Sequence, residues 1–269
     1  MRSPAQPSTH SASQGSTQWG WALSGVFFGA LLAALVFAPA RWLAALVNQA
    51  SQSHVLLTNA RGTVWDGSAQ LQLAGGASSL GSVALPGRVN WRVRPGIDRI
   101  NADITATCCM AQPLQVAAWP RLSGARVALS DHSSNWPAGL LAGLGTPWNT
   151  VQAQGTLAIS SKALALEWAA GRLTLAGSLR VDAQDMASRL STLKPMGSYR
   201  LTLSGGDVNT LQLETLQGSL QLSGSGQWVG GKLRFDGLAS AVPERQDALS
   251  NLLNIIGRRD GARAIIKVG

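Results

Sequence analysis

A long uncharged segment near the N-terminus constrains this chain more than any other feature. No charged residue lies between Trp19 and Arg41, and Ser24 is the one clearly polar side chain in the run. About 20 apolar residues, each rising about 1.5 Å along a helix, span a hydrocarbon core of roughly 30 Å. The sequence therefore predicts a transmembrane helix over residues 19–40.

Aromatic and basic residues flank this segment on both sides. Indole rings prefer the headgroup layer of a bilayer, and an arginine next to a span can reach the same layer. We therefore predict membrane lipid as a partner, with four side chains as membrane-interface anchors: Trp19, Trp21, Arg41 and Trp42.

Two interpretations of the segment remain open. In the first, residues 1–18, rich in Ser, Gln and Pro, form a disordered cytoplasmic leader before an uncleaved anchor. In the second, the Ala-Pro-Ala sequence at 38–40 is the cleavage site of a signal peptide, although the apolar run exceeds the usual roughly 7–15 residues. Both interpretations export the rest of the chain, which begins with a juxtamembrane helix at 41–53 and continues as a β-rich domain at 54–269.

The charge of the chain is positive but scattered. Lys and Arg number 22 against 13 Asp and Glu, and only 13% of residues are charged. Nucleic-acid binding requires clustered cations that displace counterions, so we expect no nucleic-acid partner. Dispersed arginines either belong to a solvated surface or face anionic lipid headgroups and acidic partners.

The sequence offers no pattern for catalysis, a metal or a cofactor. Residues 131–133 (Asp-His-Ser) combine three catalytic residue types, but adjacent positions cannot converge as a triad does, so they indicate a polar loop. The histidines are not paired at ligand spacing. The glycine-rich segments 204–207 and 223–226 are predicted to end strands and lack a phosphate-binding lysine. We predict no catalytic, cofactor or metal site and a non-enzymatic protein.

The two cysteines, Cys108 and Cys109, are neighbours. A bond between adjacent cysteines closes a strained ring, because successive side chains of a strand point to opposite faces. Two small buried or half-buried thiols are therefore favoured. A vicinal disulfide or an intermolecular bridge is the alternative in an oxidising compartment.

Alternating apolar and polar residues predict β-structure through most of the exported part. Turn residues separate the alternating runs, and no helical crossover is long enough to connect parallel strands, so the pattern indicates an antiparallel meander. The fold class is mainly β: a single N-terminal transmembrane helix followed by a curved, mostly antiparallel sheet with one C-terminal helix. The runs begin at residues 71, 88, 100, 114, 172, 201, 211, 220 and 232.

The C-terminal helix is predicted from about Pro243 to Ile256, with Gly257 as its C-terminal cap. A last strand over 262–268 closes the chain. Apolar residues at helical spacing suggest a second short helix within 184–195.

Two tryptophans precede turn glycines at the same spacing. Trp65 lies two residues before Gly67, Trp228 lies two residues before Gly230, and an alternating strand follows each. Burial of so large a ring beside a turn would anchor a hairpin, and we expect the Asp66 carboxylate to stabilise its turn. The chain's ten tryptophans are either core anchors or, in part, side chains that line an acyl-chain groove or lie on a bilayer.

These motifs, in this order after one membrane span, resemble protein N of the bacterial type II secretion system. The resemblance covers most of the chain, is weakest over 95–140, and gives the cysteines no role. The residues that carry it are Gly62, Trp65, Asp66, Gly67, Trp148, Trp228, Gly231, Phe235, Gly237, Gly257, Arg258, Arg259 and Gly261.

The resemblance implies an accessory, non-enzymatic part of the secretion machinery. The protein would be a single-pass inner-membrane protein, in contact with inner membrane lipid, with a periplasmic domain at 54–269. The family is also distantly similar to AsmA-like proteins, whose curved sheets are thought to handle lipid. We predict that the domain acts as a scaffold for other type II secretion subunits. The alternative, based on the thin sheet, its apolar alternation and the surplus of tryptophan, is an envelope lipid-binding or lipid-transfer module with phospholipid held in an apolar β-groove.

Overall fold

The computed structural model describes residues 17–76, 81–169 and 171–269. The chain divides into two units, 1–38 and 39–269. The predicted leader over 1–18 lies outside the described residues, except that Thr17 and Gln18 belong to the first helix.

Helix α1 (Thr17–Val36) forms the described part of the first unit. Its segment Trp19–Val36 is long and apolar enough to cross a membrane, by length and composition. Helix α2 (Ala40–Ala50) opens the second unit, and Pro39 precedes it with extended backbone. Proline lacks an N–H donor and disfavours a helical residue before it, so the chain starts a new helix there. Both helices end a few residues before the predicted bounds of 40 and 53.

Sixteen strands are found in the described part of the second unit. They are β1 (Val55–Gly62), β2 (Asp66–Ala74), β3 (Ser82–Ala84), β4 (Val89–Pro95), β5 (Ile100–Ala106), β6 (Leu114–Arg121), β7 (Gly124–Leu129), β8 (His132–Pro137), β9 (Gln154–Ala169), β10 (Arg172–Ala187), β11 (Gly197–Ser204), β12 (Thr210–Gly218), β13 (Leu220–Val229), β14 (Lys232–Ala241), β15 (Arg258–Asp260) and β16 (Arg263–Val268). Between them lie a 3-10 helix (Ala138–Leu144), α3 (Trp148–Val151), a 3-10 turn (Pro243–Arg245) and α4 (Gln246–Ile256).

The strands form one open sheet in which every described pairing is antiparallel. The spatial order is β1-β2-β4-β5-β6-β7-β9-β10-β11-β12-β13-β14-β16-β15, with β3 added to β2 and β8 to β9. The order follows the chain until α4, which intervenes before β15 and leaves that strand at the far edge. The predicted mainly β fold with an antiparallel sheet and a C-terminal helix is confirmed.

Three apolar clusters hold helices against the sheet. Helix α4 buries Leu249, Leu252 and Leu253 in the largest cluster. The 3-10 helix places Leu140 in a second cluster, with Leu85 and Ala106. Helix α2 supplies the third, and its buried and half-buried members are Ala40, Leu43, Leu57, Ala60, Ala69, Trp91 and Val93.

The predicted helix within 184–195 is wrong. Strand β10 continues to Ala187, and Met186 pairs with Gly197 of β11. The connection that follows is held by two buried serines: Ser188 donates to the carbonyl of Val151, and Ser191 donates to the carbonyl of Ala248. Serine side chains that bond distant backbone groups compete with helix formation.

The cysteines also differ from the favoured prediction. Cys108 and Cys109 are joined in a vicinal disulfide rather than left as two thiols. They lie in the turn after β5, not in a strand, so their side chains are not forced to opposite faces. The carbonyl of Cys109 accepts a hydrogen bond from the Asn135 N–H of β8 (N to O, 2.8 Å), which ties the turn to the sheet.

Candidate functional site

The residues that carry the family resemblance do not converge on one site. Four of them form the N-terminal motif at the β1–β2 turn, at one edge of the sheet: Gly62, Trp65, Asp66 and Gly67. Eight form the C-terminal motif in strands β13 to β16, at the other edge: Trp228, Gly231, Phe235, Gly237, Gly257, Arg258, Arg259 and Gly261. The remaining one, Trp148, begins α3 and is exposed.

The predicted membrane-interface anchors lie on the two helices. Trp19 and Trp21 are exposed near the start of α1, and Arg41 and Trp42 are exposed in the first turn of α2. Their contact with lipid remains a prediction.

The N-terminal motif closes a tight hairpin. Gly62 has a φ of +84° and pairs with Gly67 across the turn. The Thr63 N–H donates to the Asp66 carbonyl (2.8 Å), and the Asp66 N–H donates to the Thr63 hydroxyl (3.0 Å). The Asp66 carboxylate instead accepts from Arg92 Nε of β4 at 3.0 Å. The carboxylate thus links the turn to the next strand, and its predicted contact within the turn stays a prediction.

Trp91 of β4 anchors this hairpin, although sequence analysis did not place it in the motif. It is 6% exposed, and its indole N–H points at two turn carbonyls, those of Val64 (3.1 Å) and Thr63 (3.3 Å). A Cβ on Gly67 would lie 2.6 Å from Trp91 Cζ2 and 2.6 Å from the Thr63 carbonyl oxygen. Gly67 therefore has no side chain because the Trp91 ring and the turn backbone occupy that space.

Replacing Gly67 with alanine is expected to lower the free energy of unfolding by about 1–3 kcal/mol, because the new methyl group overpacks backbone that cannot move aside. Urea unfolding of the full chain in detergent micelles, followed by circular dichroism, measures the effect. Gly206→Ala is the matched control, since its Cβ would meet nothing within 4 Å, and it should stay within about 0.5 kcal/mol of wild type. Equal midpoints for both variants would contradict the packing role of Gly67.

The C-terminal motif begins with a second tight hairpin. Gly230 (φ +58°) and Gly231 (φ +80°) form a two-residue turn between the paired residues Val229 and Lys232. Positive φ at both central positions is the type I′ geometry, which suits the twist of the flanking strands. Trp228 is half-buried beside this turn, whereas Trp65 lies within its own turn, so the two motifs share residues but not the same turn register.

The Phe235 ring occupies the space that side chains at the neighbouring glycines would need. Its ring is buried over β13 and β14, where a Cβ on Gly224 would lie 2.5 Å from Phe235 Cζ and a Cβ on Gly237 would lie 2.8 Å from Cε1. The segment 223–226 was predicted to end a strand, but it lies inside β13. Glycines in a strand interior weaken the strand unless a neighbouring group needs the space, as this ring does.

The remaining motif residues build the last edge of the sheet. Gly257 is the C-terminal cap residue of α4, as predicted, but its backbone is extended (φ −168°) rather than left-handed. Its Cβ would lie 2.6 Å from the Ile265 carbonyl oxygen, so glycine permits β15 to approach β16. Gly261 (φ +60°) lies in the turn between these two strands. Arg258 and Arg259 are exposed on β15.

A partly buried ion pair connects the middle strands between these edges. Arg200 of β11 donates from Nε and Nη2 to the two carboxylate oxygens of Asp182 on β10, at 2.7 and 2.9 Å. The hydrogen bond from Arg200 holds the pKa of the Asp182 carboxyl below its usual value, although partial burial opposes this shift.

The Asp182–Arg200 pair predicts a pH-dependent loss of stability. Because the pKa of Asp182 is lower in the folded protein than in the unfolded chain, its contribution is complete above the unfolded pKa of about 4 and is lost as the pH falls through the folded pKa. Asp182→Asn should therefore lower the unfolding midpoint at pH 7, and its difference from wild type should shrink as the pH is lowered below about 4. Urea titrations between pH 7 and pH 3 measure this difference. A difference that is unchanged by pH would rule out ionisation of Asp182 as its source.

The polar segment 131–133 has a structural role. The Asp131 carboxylate accepts a hydrogen bond from the Ala163 N–H at 2.7 Å, where β9 bulges and Ala163 has a φ of +48°. His132 and Ser133 are successive residues of β8 and pair with Ser161 and Ser160. Among the described residues, no three His, Cys, Asp or Glu side chains are grouped as metal ligands.

Two hollows along the described strands are lined mainly by polar residues. One is lined by Asp131, His132, Lys162 and Arg180, among other polar residues, and a second by Gln212, Gln227, Arg234 and Asp236. Acyl chains require a mainly apolar lining, so these hollows do not support the lipid-binding alternative.

Comparison with known proteins supplies the family. No curated protein matches the chain, and no solved structure does. The model of the family described as "Type II secretion system (T2SS), protein N" matches residues 53–266, which include both edge motifs and the whole sheet up to β16. The chain therefore belongs to the protein N family of the type II secretion system.

Proposed function

We propose that this protein is a non-enzymatic scaffold of the type II secretion machinery, anchored in the inner membrane by α1, with its sheet in the periplasm. Family membership makes it a component of that machinery and implies that it interacts with other secretion subunits. An apolar helix with exposed tryptophans near one end supports anchoring. The disulfide between Cys108 and Cys109 supports export from the cytoplasm, since disulfides persist in oxidising compartments.

The single observation that carries the scaffold role is the open C-terminal edge of the sheet. Strand β15 pairs with β16 over residues 258–260 and has no second neighbour among the described strands. Backbone groups at such an edge can pair with a strand of another protein. The exposed Arg258 and Arg259 favour a partner strand that carries carboxylates.

Site-specific photocrosslinking in the native envelope tests this docking edge. A photoreactive residue at Arg259 is expected to crosslink to another type II secretion subunit, identified by mass spectrometry. The control is Gln184, which is exposed on the central strand β10. Absence of a secretion subunit among the Arg259 products, or equal capture from both positions, would refute docking through β15.

Membrane anchoring has a separate test. The full chain is expected to stay with membranes during alkaline extraction and to keep residues 1–18 in its intact mass. External protease should digest the sheet in spheroplasts. Release by alkali would exclude the anchor, and a mass that begins after residue 40 would establish the cleaved signal peptide instead.

A further inference from the structure

Four neighbouring hairpin turns, in the half of the sheet from β1 to β10, lie together at one end, which we call the turn edge. They are the β1–β2 turn (63–65), the β4–β5 turn (96–99), the β6–β7 turn (122–123) and the β9–β10 turn at Gly171. The register aligns the last three of them. One continuous row of paired residues crosses six strands, and each of these three turns lies within a few residues of that row. The row consists of Pro95, Ile100, Ala118, Val127, Leu166 and Leu175. The β1–β2 turn joins this end because Asp66 pairs with Arg92, three residues before Pro95.

The turn edge exposes large apolar side chains. Ile97 and Leu122 are fully exposed at two of the turns, and Trp168 and Leu173, which are paired beside a third, are 54% and 55% exposed. Hairpin turns are normally built from small and polar residues. Local strand packing does not explain these four, because each residue is more than half exposed.

The connection at the opposite end of neighbouring strands behaves differently. Between β5 and β6 the chain also carries apolar residues, but Cys109 and Met110 pack against Leu85 and Leu140 in a core cluster. Apolar residues in that connection are thus buried, whereas those at the turn edge are exposed. This contrast indicates that the turn edge is a surface covered by an apolar environment such as a membrane.

Positive charge accompanies the exposed apolar residues. Four carboxylates lie in or beside the turns, and three of them already pair with arginines: Asp66 with Arg92, Asp103 with Arg94, and Glu167 with Arg121. The exposed arginines in the same segments outnumber the acids, and they are Arg61, Arg92, Arg94, Arg99, Arg121, Arg126 and Arg172. An excess of arginine around exposed indole and aliphatic groups complements an anionic lipid surface.

The chain also enters the sheet unit at this end. Pro39 forms an isolated antiparallel bridge with Thr63, within the β1–β2 turn. Only Phe37 and Ala38 separate Pro39 from Val36, the last residue of the apolar helix α1. The turn edge therefore begins within a few residues of the segment that would leave the bilayer.

We propose that the turn edge rests on the anionic surface of the bilayer that holds α1. Ile97, Leu122, Trp168 and Leu173 lie in the headgroup layer, and arginines such as Arg99 and Arg172 bind lipid phosphates. This inference rests on the proposed membrane anchoring, and it adds a second, peripheral contact made by the sheet itself.

Lipid photocrosslinking of the full chain tests this contact. The chain is reconstituted into phosphatidylcholine vesicles with or without phosphatidylglycerol, with a photoreactive residue at Leu122 or, as control, at Gln112 in the opposite β5–β6 connection. We expect at least about fivefold more lipid labelling at Leu122 than at Gln112 when phosphatidylglycerol is present. Equal labelling at the two positions while α1 resists alkaline extraction would overturn the turn-edge contact alone. Release of the chain by alkali would overturn the anchoring and this inference together, and a Leu122 crosslink to a second copy of the chain instead of lipid would assign the edge to self-association.

A charge-matched pair of variants separates a local contact from net charge. Arg99→Gln with Arg172→Gln removes two turn-edge cations, and Arg258→Gln with Arg259→Gln removes two from β15. The first pair is expected to reduce lipid labelling at Leu122 several-fold and the second to leave it unchanged. An equal reduction by both pairs would show that overall charge, not the turn edge, attracts the lipid.

Discussion

Trp91→Ala is expected to lower the free energy of unfolding by about 3–5 kcal/mol, the largest effect of any single change proposed here. The substitution empties the centre of the cluster that joins α2 to β1, β2 and β4. It also removes the indole donor from the turn carbonyls of Thr63 and Val64. Urea unfolding of the full chain in detergent micelles, followed by far-ultraviolet circular dichroism, measures the loss.

Trp168→Ala is the matched control for Trp91. The same side chain is removed from a site that is 54% exposed, so a change of less than about 1 kcal/mol is expected. A similar loss from both variants would mean that Trp91 contributes no more than any tryptophan in the sheet.

Leu253→Ala is expected to lower the free energy of unfolding by about 2–5 kcal/mol, because the buried side chain leaves a cavity between α4 and the sheet. Leu253 is 1% exposed and belongs to the largest cluster. Helix α4 connects β14 to β15, so amide hydrogen exchange should also accelerate in β15 and β16 before it does in β4 and β5.

Ile255 of the same helix provides the control for Leu253. It is 39% exposed, and its replacement by alanine is expected to change stability by only about 0.5 kcal/mol. Uniform acceleration of exchange across the whole sheet in Leu253→Ala would show that α4 does not protect the C-terminal edge selectively.

The sequence predicted the strands well because their apolar residues alternate with period two, and this pattern depends on each segment alone. The runs at 100–105 and 232–235, for example, lie within β5 and β14. The meander order was also predictable, since short connections leave little choice but to pair successive strands. The final position of β15 beyond β16 was not predicted, because it depends on the packing of α4.

Contacts between residues far apart in the chain were not predictable from local patterns. Gly257 was predicted to end the C-terminal helix and does so, but its close approach to the Ile265 carbonyl of β16 depends on the packing of two strands. The ion pair of Asp66 with Arg92 of β4 joins residues 26 positions apart. Gly67 was recognised as a turn glycine, but no local pattern shows that Trp91 fills the space beside it.

The neighbour-by-neighbour order of the sheet has a mechanical consequence. Adjacent strands are about 4.8 Å apart. Fourteen strands lie side by side in the main spatial order, from β1 at one edge to β15 at the other, so the distance across the sheet from edge to edge is roughly 60 Å. Helix α2 fixes the first strand, whereas the free edge for a partner lies at the last. The number of strands would thus set the distance between the proposed membrane attachment and the proposed docking edge, and removal of one two-stranded hairpin would shorten that distance by about 10 Å.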